Sequence, residues 1–347
     1  MLTRFTSSVR ECYRFAVTTE PRITILRNVR APKGPVNALV RLLEADGANV
    51  AVHDTVDMAH GERVAREEGP HSTALVAAGG DGTLLSTLAA SLDTGVAVAT
   101  LPLGTTNDLA VHLGMQSVDD VAAAITRRSK KRIDVVQCTF VDPQGEQRTL
   151  PFVTSAGVGA LGDVSRRERS GAAGWVKRTF GNAAWPLLFG SSFRRLRESR
   201  ASIELGDTVV DEPLSVFEVC KVPAPGGLKL APGARFDSGI LHAFYCGEVS
   251  ATAFFYETMR AAALDGPVRS RRVQYMSNDP STNHAHVSNV RRVHIAPREP
   301  MAVHVHGEYV GTTPATFEIA DVQLEVFMPL AQPSLMPLPS WRPSASI

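Results

Sequence analysis

Residues 76–90 read VAAGGDGTLLSTLAA. An apolar, strand-like run ends in Gly79 and Gly80, and the residues after Asp81, Gly82 and Thr83 take up helical spacing. The stretch is therefore a strand, a glycine turn and a helix. An acid at such a turn costs free energy unless something uses it.

The same alternation extends to both sides. RITILRN reads as a strand, VNALVRLLEADG as a helix, ANVAVHDT as a strand and HGERVAREE as a helix. TALVAAGG, TLLSTLAASL, VAVATLPLG and VDDVAAAITRR continue the order. Strand then helix, repeated, predicts a parallel sheet covered by helices. Near residue 133 the pattern changes. IDVVQCTFVDPQGEQRTLPFVTSAGVG predicts a hairpin turning at PQG, and an Arg-rich, helical region follows at 163–200. ASIELG, LSVFEVCKV, GILHAFYCG, RRVQYM, RRVHIAP, MAVHVHGEYV, ATFEIA and QLEVFMP then read as strands. The expected architecture is an α/β N-terminal nucleotide-binding domain at 22–132 and a β-sandwich-like C-terminal domain at 133–330, with extensions at 1–21 and 331–347.

The totals narrow the function classes. The 347 residues make about two domains at ~150 residues each. Lys plus Arg (36) nearly balances Asp plus Glu (35), which argues against a protein that wraps nucleic acid electrostatically. Cys12, Cys138, Cys220 and Cys246 form no CxxC pair, so a reducing compartment fits and a zinc knuckle does not. No segment reaches the ~20 apolar residues of a spanning helix, so membrane contact is expected to be peripheral.

Two glycine turns, GGDGT at 79–83 and LPLGTTNDLA at 101–110, fall where strands give way to helices. In a parallel α/β sheet such turns gather at the carboxyl edge, and their backbone N–H groups suit phosphate. Thr83, Thr105 and Thr106 add hydroxyls, and Asn107 and Asp108 can hold a ribose, an amide or a neighbouring loop. Singly, each turn reads better as a plain strand end and helix cap.

Together, and with the motifs around them, they resemble the diacylglycerol kinase catalytic-domain family, which includes bacterial lipid kinases and sphingosine and ceramide kinases and is distantly related to NAD kinases. ILRNVRAPKG at 25–34 resembles the first strand and Asn-Pro-x-x-Gly loop, with Val29 at the proline. Thr55 with AHGE at 59–62, GDVSRRERSGAAGWVKRTFGNAAW at 162–185, PGGLKLAPGARFDSGILHAF at 225–244 and HGEYVGTTP at 306–314 follow in the family's order.

The resemblance implies ATP with Mg²⁺ as cofactors. It places the phosphates against Asn28, Thr55, Gly79, Gly80, Gly82, Thr83, Gly104 and Thr105, with Asn107 and Asp108 on the same side. Asp81 is expected to accept the acceptor's hydroxyl proton or to contact the metal, and Glu308 to reach the phosphates or their Mg²⁺ from the second domain. Phosphoryl transfer asks for alignment, charge neutralisation and a proton acceptor, which this set supplies. Hydrogen bonds from the turn are expected to keep Asp81 ionised. The implied activity is transfer of the γ-phosphate to the hydroxyl of diacylglycerol or a similar lipid alcohol. A sphingoid-base kinase, an NAD kinase and a non-catalytic nucleotide- or lipid-binding protein are the rivals.

Five features depart from the family pattern or stand outside it. His306 replaces the aspartate of Asp-Gly-Glu, and imidazole is a poor ligand for a hard cation. Lys221 and Thr154 stand where asparagines are usual. Asp237 falls where some bacterial relatives hold a structural Mg²⁺, beside Ser238 in place of glycine. His304, His306 and Glu308 alternate and would share a face on a regular strand, but Gly307 predicts a turn instead. The nine basic residues between Arg166 and Arg200, interleaved with Trp175, Phe180, Trp185 and Phe193, fit either a solvated face or a helix lying on anionic lipid. The sequence thus predicts a cytoplasmic, peripherally membrane-associated protein with no nucleic-acid partner, a homodimer being left open.

Overall fold

The computed structural model describes residues 21–104, 106–169, 199–206, 208–227, 229–247, 256, 260, 273–276 and 290–329. Thr105, both terminal extensions and most of the basic segment with its aromatic residues lie outside the described residues. Strands β1 (Arg22–Asn28), β2 (Asn49–Thr55), β3 (Ala74–Gly79) and β4 (Ala97–Pro102) are parallel, in the spatial order β4-β3-β1-β2. All six residues of β3 are buried, as an apolar run covered on both faces requires.

The connections are α1 (Lys33–Ala45), α2 (Met58–Glu68) and α3 (Asp81–Thr94). Helix α1 buries Val36, Leu39 and Leu43, an i, i+3, i+7 stripe. Helix α3 is buried over most of its surface, so it is held by packing rather than by one amphipathic face. A short helix, α4 (Asp108–Leu113), precedes α5 (Val118–Thr126), which opens on a capping box between Ser117 and Asp120.

In the strand-rich half, β5 (Lys130–Val141) and β6 (Gln147–Phe152) form the expected hairpin, its turn completed by Gly145 at φ 87°. Strand β7 (Ser155–Gly159) leads into α6 (Ala160–Arg169), and β8 (Arg200–Leu205) pairs with β9 (Thr208–Pro213). Strands β10 (Val216–Cys220), β11 (His242–Cys246), β12 (Val273–Met276), β13 (Arg292–Pro297) and β14 (Ala302–Val305) follow.

The last element, β15 (Glu308–Phe327), runs for 20 residues where the sequence pattern predicts separate strands. Its register shifts between Thr312 and Thr316 and between Ile319 and Gln323. Bulged strands bend, and a bend breaks the alternation of apolar and polar residues that periodicity reads. β15 pairs antiparallel with β14, β13 and β5, then lies parallel to β4 through Val326 and Val98. One strand thus joins the strand-rich half to the parallel sheet, and its first residue is Glu308. A continuous apolar cluster follows it from Ile23 and Val76 through Phe152 to Phe317. Among the described residues no helix is long and apolar enough to cross a membrane.

Candidate active site

The parallel register sets the positions along one edge. Asn28 lies beside Thr55, Arg27 beside Ala78 and Gly79 beside Pro102, so the ends of β1–β4 form a row. Across this edge the two glycine turns touch. Leu103 N–H donates to the Gly79 carbonyl at 3.0 Å, and a Cβ added to Gly104 would overlap the Gly80 Cα. Position 104 needs glycine for that approach, and a Cβ on Gly80 would lie a tight 3.3 Å from the Gly104 Cα. Asn107, in the left-handed region at φ 52°, closes its own loop. Its Oδ1 accepts from Gly104 N–H at 2.9 Å and its Nδ2 donates to the Gly104 carbonyl at 2.7 Å.

Several expected ligands hold the edge itself. Asn28 Oδ1 accepts from Arg30 N–H at 2.9 Å, the Thr55 hydroxyl donates to the Arg27 carbonyl at 3.2 Å, and the Thr83 side chain is buried against Gly79. The same row thereby gathers Asn28, Thr55, Gly79, Gly80, Thr83, Gly104 and Asn107. The surface offered outward is mainly backbone.

The carboxylates stand at the junction. Asp81 is the first residue of α3, and its carboxylate faces the backbone N–H groups of Asn107, Asp108 and Leu109. Burial pushes its pKa up to about 6 despite those hydrogen bonds. Burial outweighs the turn's hydrogen bonds, yet a pKa of about 6 leaves the carboxylate mostly ionised at neutral pH. Asp108 is pushed up to about 7, by burial first and then by the charges of Asp81 and Glu218, while Gly226 N–H donates to its two oxygens at 2.9 and 3.0 Å. The charge of Asp81 thus acts on Asp108, while the Asp108 backbone N–H is one of the groups that favour the ionised Asp81. From the far wall, Glu308 closes on the same turn: a Cβ on Gly82 would lie 3.7 Å from Glu308 Oε1. A small cleft between the turns is lined by Gly80, Asp81, Thr100, Pro102 and Asn107.

His306 does not point into this cleft as a ligand. With Gly307 it forms the two-residue turn between β14 and β15, at φ 50° and 77°, where Val305 pairs with Glu308. The alternation of His304, His306 and Glu308 is broken there, as Gly307 predicts. The imidazole is buried, with Nδ1 2.9 Å from the Thr154 hydroxyl and Nε2 accepting from Val153 N–H at 3.3 Å. Burial and then the neighbouring His304 push its pKa down to about 3, so the ring is neutral. Two of the departures from the family pattern, Thr154 and His306, are thus hydrogen-bond partners.

The other departure is equally built in. Lys221 is fully buried, and its ammonium donates to Asp134 Oδ2 at 2.8 Å, Ser238 Oγ at 2.9 Å and the Ile240 carbonyl at 2.9 Å. Asp237, the expected metal ligand, instead pairs with Lys131 at 3.0 Å and Arg235 at 3.2 Å. Among the described residues no group of three His, Cys, Asp or Glu side chains is arranged to hold a metal.

Sequence reasoning did not single out Glu218 or the Gly226 N–H. The available signal for Glu218 was one acid inside the apolar strand VFEVC, a position that has to be satisfied to be tolerated. For Gly226 there was none, since a backbone donor has no residue type.

Residues 23–138 match the model of the diacylglycerol kinase catalytic domain. The chain is 26% identical over 297 residues to a diacylglycerol kinase of Bacillus subtilis, covering 84% of this chain and 89% of that one. It is 24% identical over 276 residues, 76% of its length, to an uncharacterized Synechocystis protein, of which it spans 57%. The crystal structure of a Bacillus anthracis diacylglycerol kinase superposes with a TM-score of 0.61 at 16% identity, over 91% of this chain and 98% of that one, and so shares the fold. Over residues 23–138, which carry the paired glycine turns and Asp81, the chain is thus similar to the diacylglycerol kinase catalytic domain.

Proposed function

We propose that this protein is a lipid kinase that transfers the γ-phosphate of ATP to the hydroxyl of diacylglycerol or a similar lipid alcohol. The observation that carries the reading is the pair Asp81 and Asp108, with pKa values raised to about 6 and 7, at the contact of two glycine turns. A proton acceptor works best when its pKa lies near the working pH. The names of the relatives, a diacylglycerol kinase above all, support the choice of acceptor.

In this mechanism the backbone N–H groups of the two turns bind the ATP phosphates, and α3 brings its N-terminus to the same point. The acceptor oxygen bonds to the γ-phosphorus as the bond to the bridging β–γ oxygen breaks, leaving ADP. Its proton passes to the Asp81 carboxylate. Asp108, held by Gly226 N–H, keeps the N–H groups at the start of α4 turned toward Asp81. Mg²⁺ is usually held by one or two carboxylates plus substrate phosphates, and the donor set here fits that requirement with Glu308 as the carboxylate that would hold it. When bound, the ion neutralises charge on the transferring phosphate.

Labelled ATP and mixed micelles of diacylglycerol, sphingoid base and a long-chain alcohol test the reading. Label should enter one lipid with wild type and fail to enter with Asp81→Asn. Measurable ATP binding with no labelled lipid would overturn the kinase and leave a nucleotide-binding protein, and label in the sphingoid base alone would replace the acceptor.

A further inference from the structure

Glu218 on β10 and His304 on β14 are two polar side chains that meet inside the strand-rich half. Both pair in register with Gly157 of the intervening strand β7, so they stand on one face with the glycine between them. Strands two apart are separated by about 10 Å, a span that only long side chains bridge. The bridge is made: His304 Nε2 lies 2.9 Å from Glu218 Oε2, with the side chains 4% and 2% exposed. Gly157 leaves the room, since a Cβ there would overlap Glu218 Oε2. An ionised carboxylate can only accept, so Nε2 carries the proton.

Stability gives a weak reason for such a pair, because buried ion pairs are often replaced by apolar residues without loss. What the pair spans gives a stronger one. Past Glu218, β10 reaches Lys221, anchored on Asp134, Ser238 and Ile240, and then Gly226, whose N–H holds Asp108. Past His304, β14 reaches the His306–Gly307 turn and Glu308, which closes on Gly82. The charge of Glu218 is felt at Asp108 and at Cys220, and that of His304 at His306.

We propose that Glu218 and His304 are positioning residues of the phosphotransfer site: bonded across Gly157, they fix the spacing between the segment that holds Asp108 and the turn that carries Glu308. This rests on the lipid kinase reading for its catalytic readout but not for its structural one. The pair touches neither phosphate nor acceptor. Misplacement of a group by about 1 Å far from the chemistry can cost on the order of 100-fold in rate.

The test is the double variant Glu218→Leu/His304→Leu, which leaves no charge buried alone, with His304→Asn as a second variant too short to reach Glu218, and His304→Gln as the conservative control. Thermal melting establishes that each is folded. Expected for the first two is a kcat lowered roughly 10- to 100-fold with the KM for ATP within about twofold. His304→Gln, which keeps a donor at the right distance, should stay within about threefold of wild type. Independently of activity, amide hydrogen exchange at residues 226–227 and 305–309 should quicken in the double variant and not in His304→Gln. Wild-type kcat and unchanged exchange in the folded double variant would overturn the proposal. If the wild type labels no lipid the kinase reading fails by itself, and the exchange measurement alone then decides this one.

Discussion

The two regions that meet where Glu308 approaches Gly82, a first and a second wall, are made of different material. The first, from β3 through α4, is backbone: Gly80 and Gly104 in contact, Asn107 closing its own loop, and N–H groups turned on Asp81. The second, from β7, β10 and β14, is side chain: the Thr154–His306 contact, the Glu218–His304 pair and the buried Lys221 ammonium. A wall of backbone tolerates little change of residue, since its function needs the absence of side chains. A wall of buried polar pairs can be rebuilt as long as each partner stays satisfied. The departures from the family pattern at 154, 221 and 306 all fall on the second wall.

Five substitutions probe that contrast. Asp81→Asn removes the proposed proton acceptor from the first wall without changing its shape. Transfer should fall by about 10² to 10⁴ with ATP affinity within a few-fold, as read by single-turnover phosphorylation and calorimetry. A proportionate loss of ATP binding would mean that Asp81 shapes the turn instead.

Lys221→Met strikes the second wall. It leaves the Asp134 carboxylate buried with Gly239 N–H and the Gln323 amide but no ammonium. The expected loss is about 3–5 kcal/mol by urea denaturation, the usual result of removing one partner of a buried ion pair. Gly104→Ala wedges the two turns apart at Gly80 and should cost about 1–3 kcal/mol and raise the KM for ATP. An alanine accepted without either change would show that the turns need not touch.

The smallest effect is in the pH dependence of stability, where the walls pull in opposite directions. Asp81 and Asp108 hold protons more tightly folded than unfolded, so their contribution is lost as pH rises from 3.8 through about 6 and 7. His306 and His242 hold them less tightly, so theirs is lost as pH falls from 6.5 toward about 3 and 4. Asp108→Asn should therefore flatten the decline above pH 5, and His306→Gln the decline below pH 6.5, each on the order of 1 kcal/mol in urea midpoints. The same raised carboxyls place the acid limb of the rate profile between pH 6 and 7.

Much of the first wall was legible. Strand-helix alternation needs only local periodicity, and RITILRN is β1 residue for residue. The glycine turns announce themselves because few other residues fit there. α4 was hidden by its six-residue length, and β15 by its bulges. On the second wall His306 was visible as a departure but not as a partner of Thr154, which is 152 positions away in the chain.

The sequence by itself determined the order of elements, the two turns and Asp81 between them, because each depends on neighbours within a few residues. Only the tertiary structure decided that burial and the charge of Asp81 raise Asp108, that Glu308 arrives at Gly82 on a strand from the other end of the chain, and that His306 is a buried neutral support. Those outcomes rest on burial and on hydrogen bonds between residues far apart in the chain, and no local pattern of residue types encodes either.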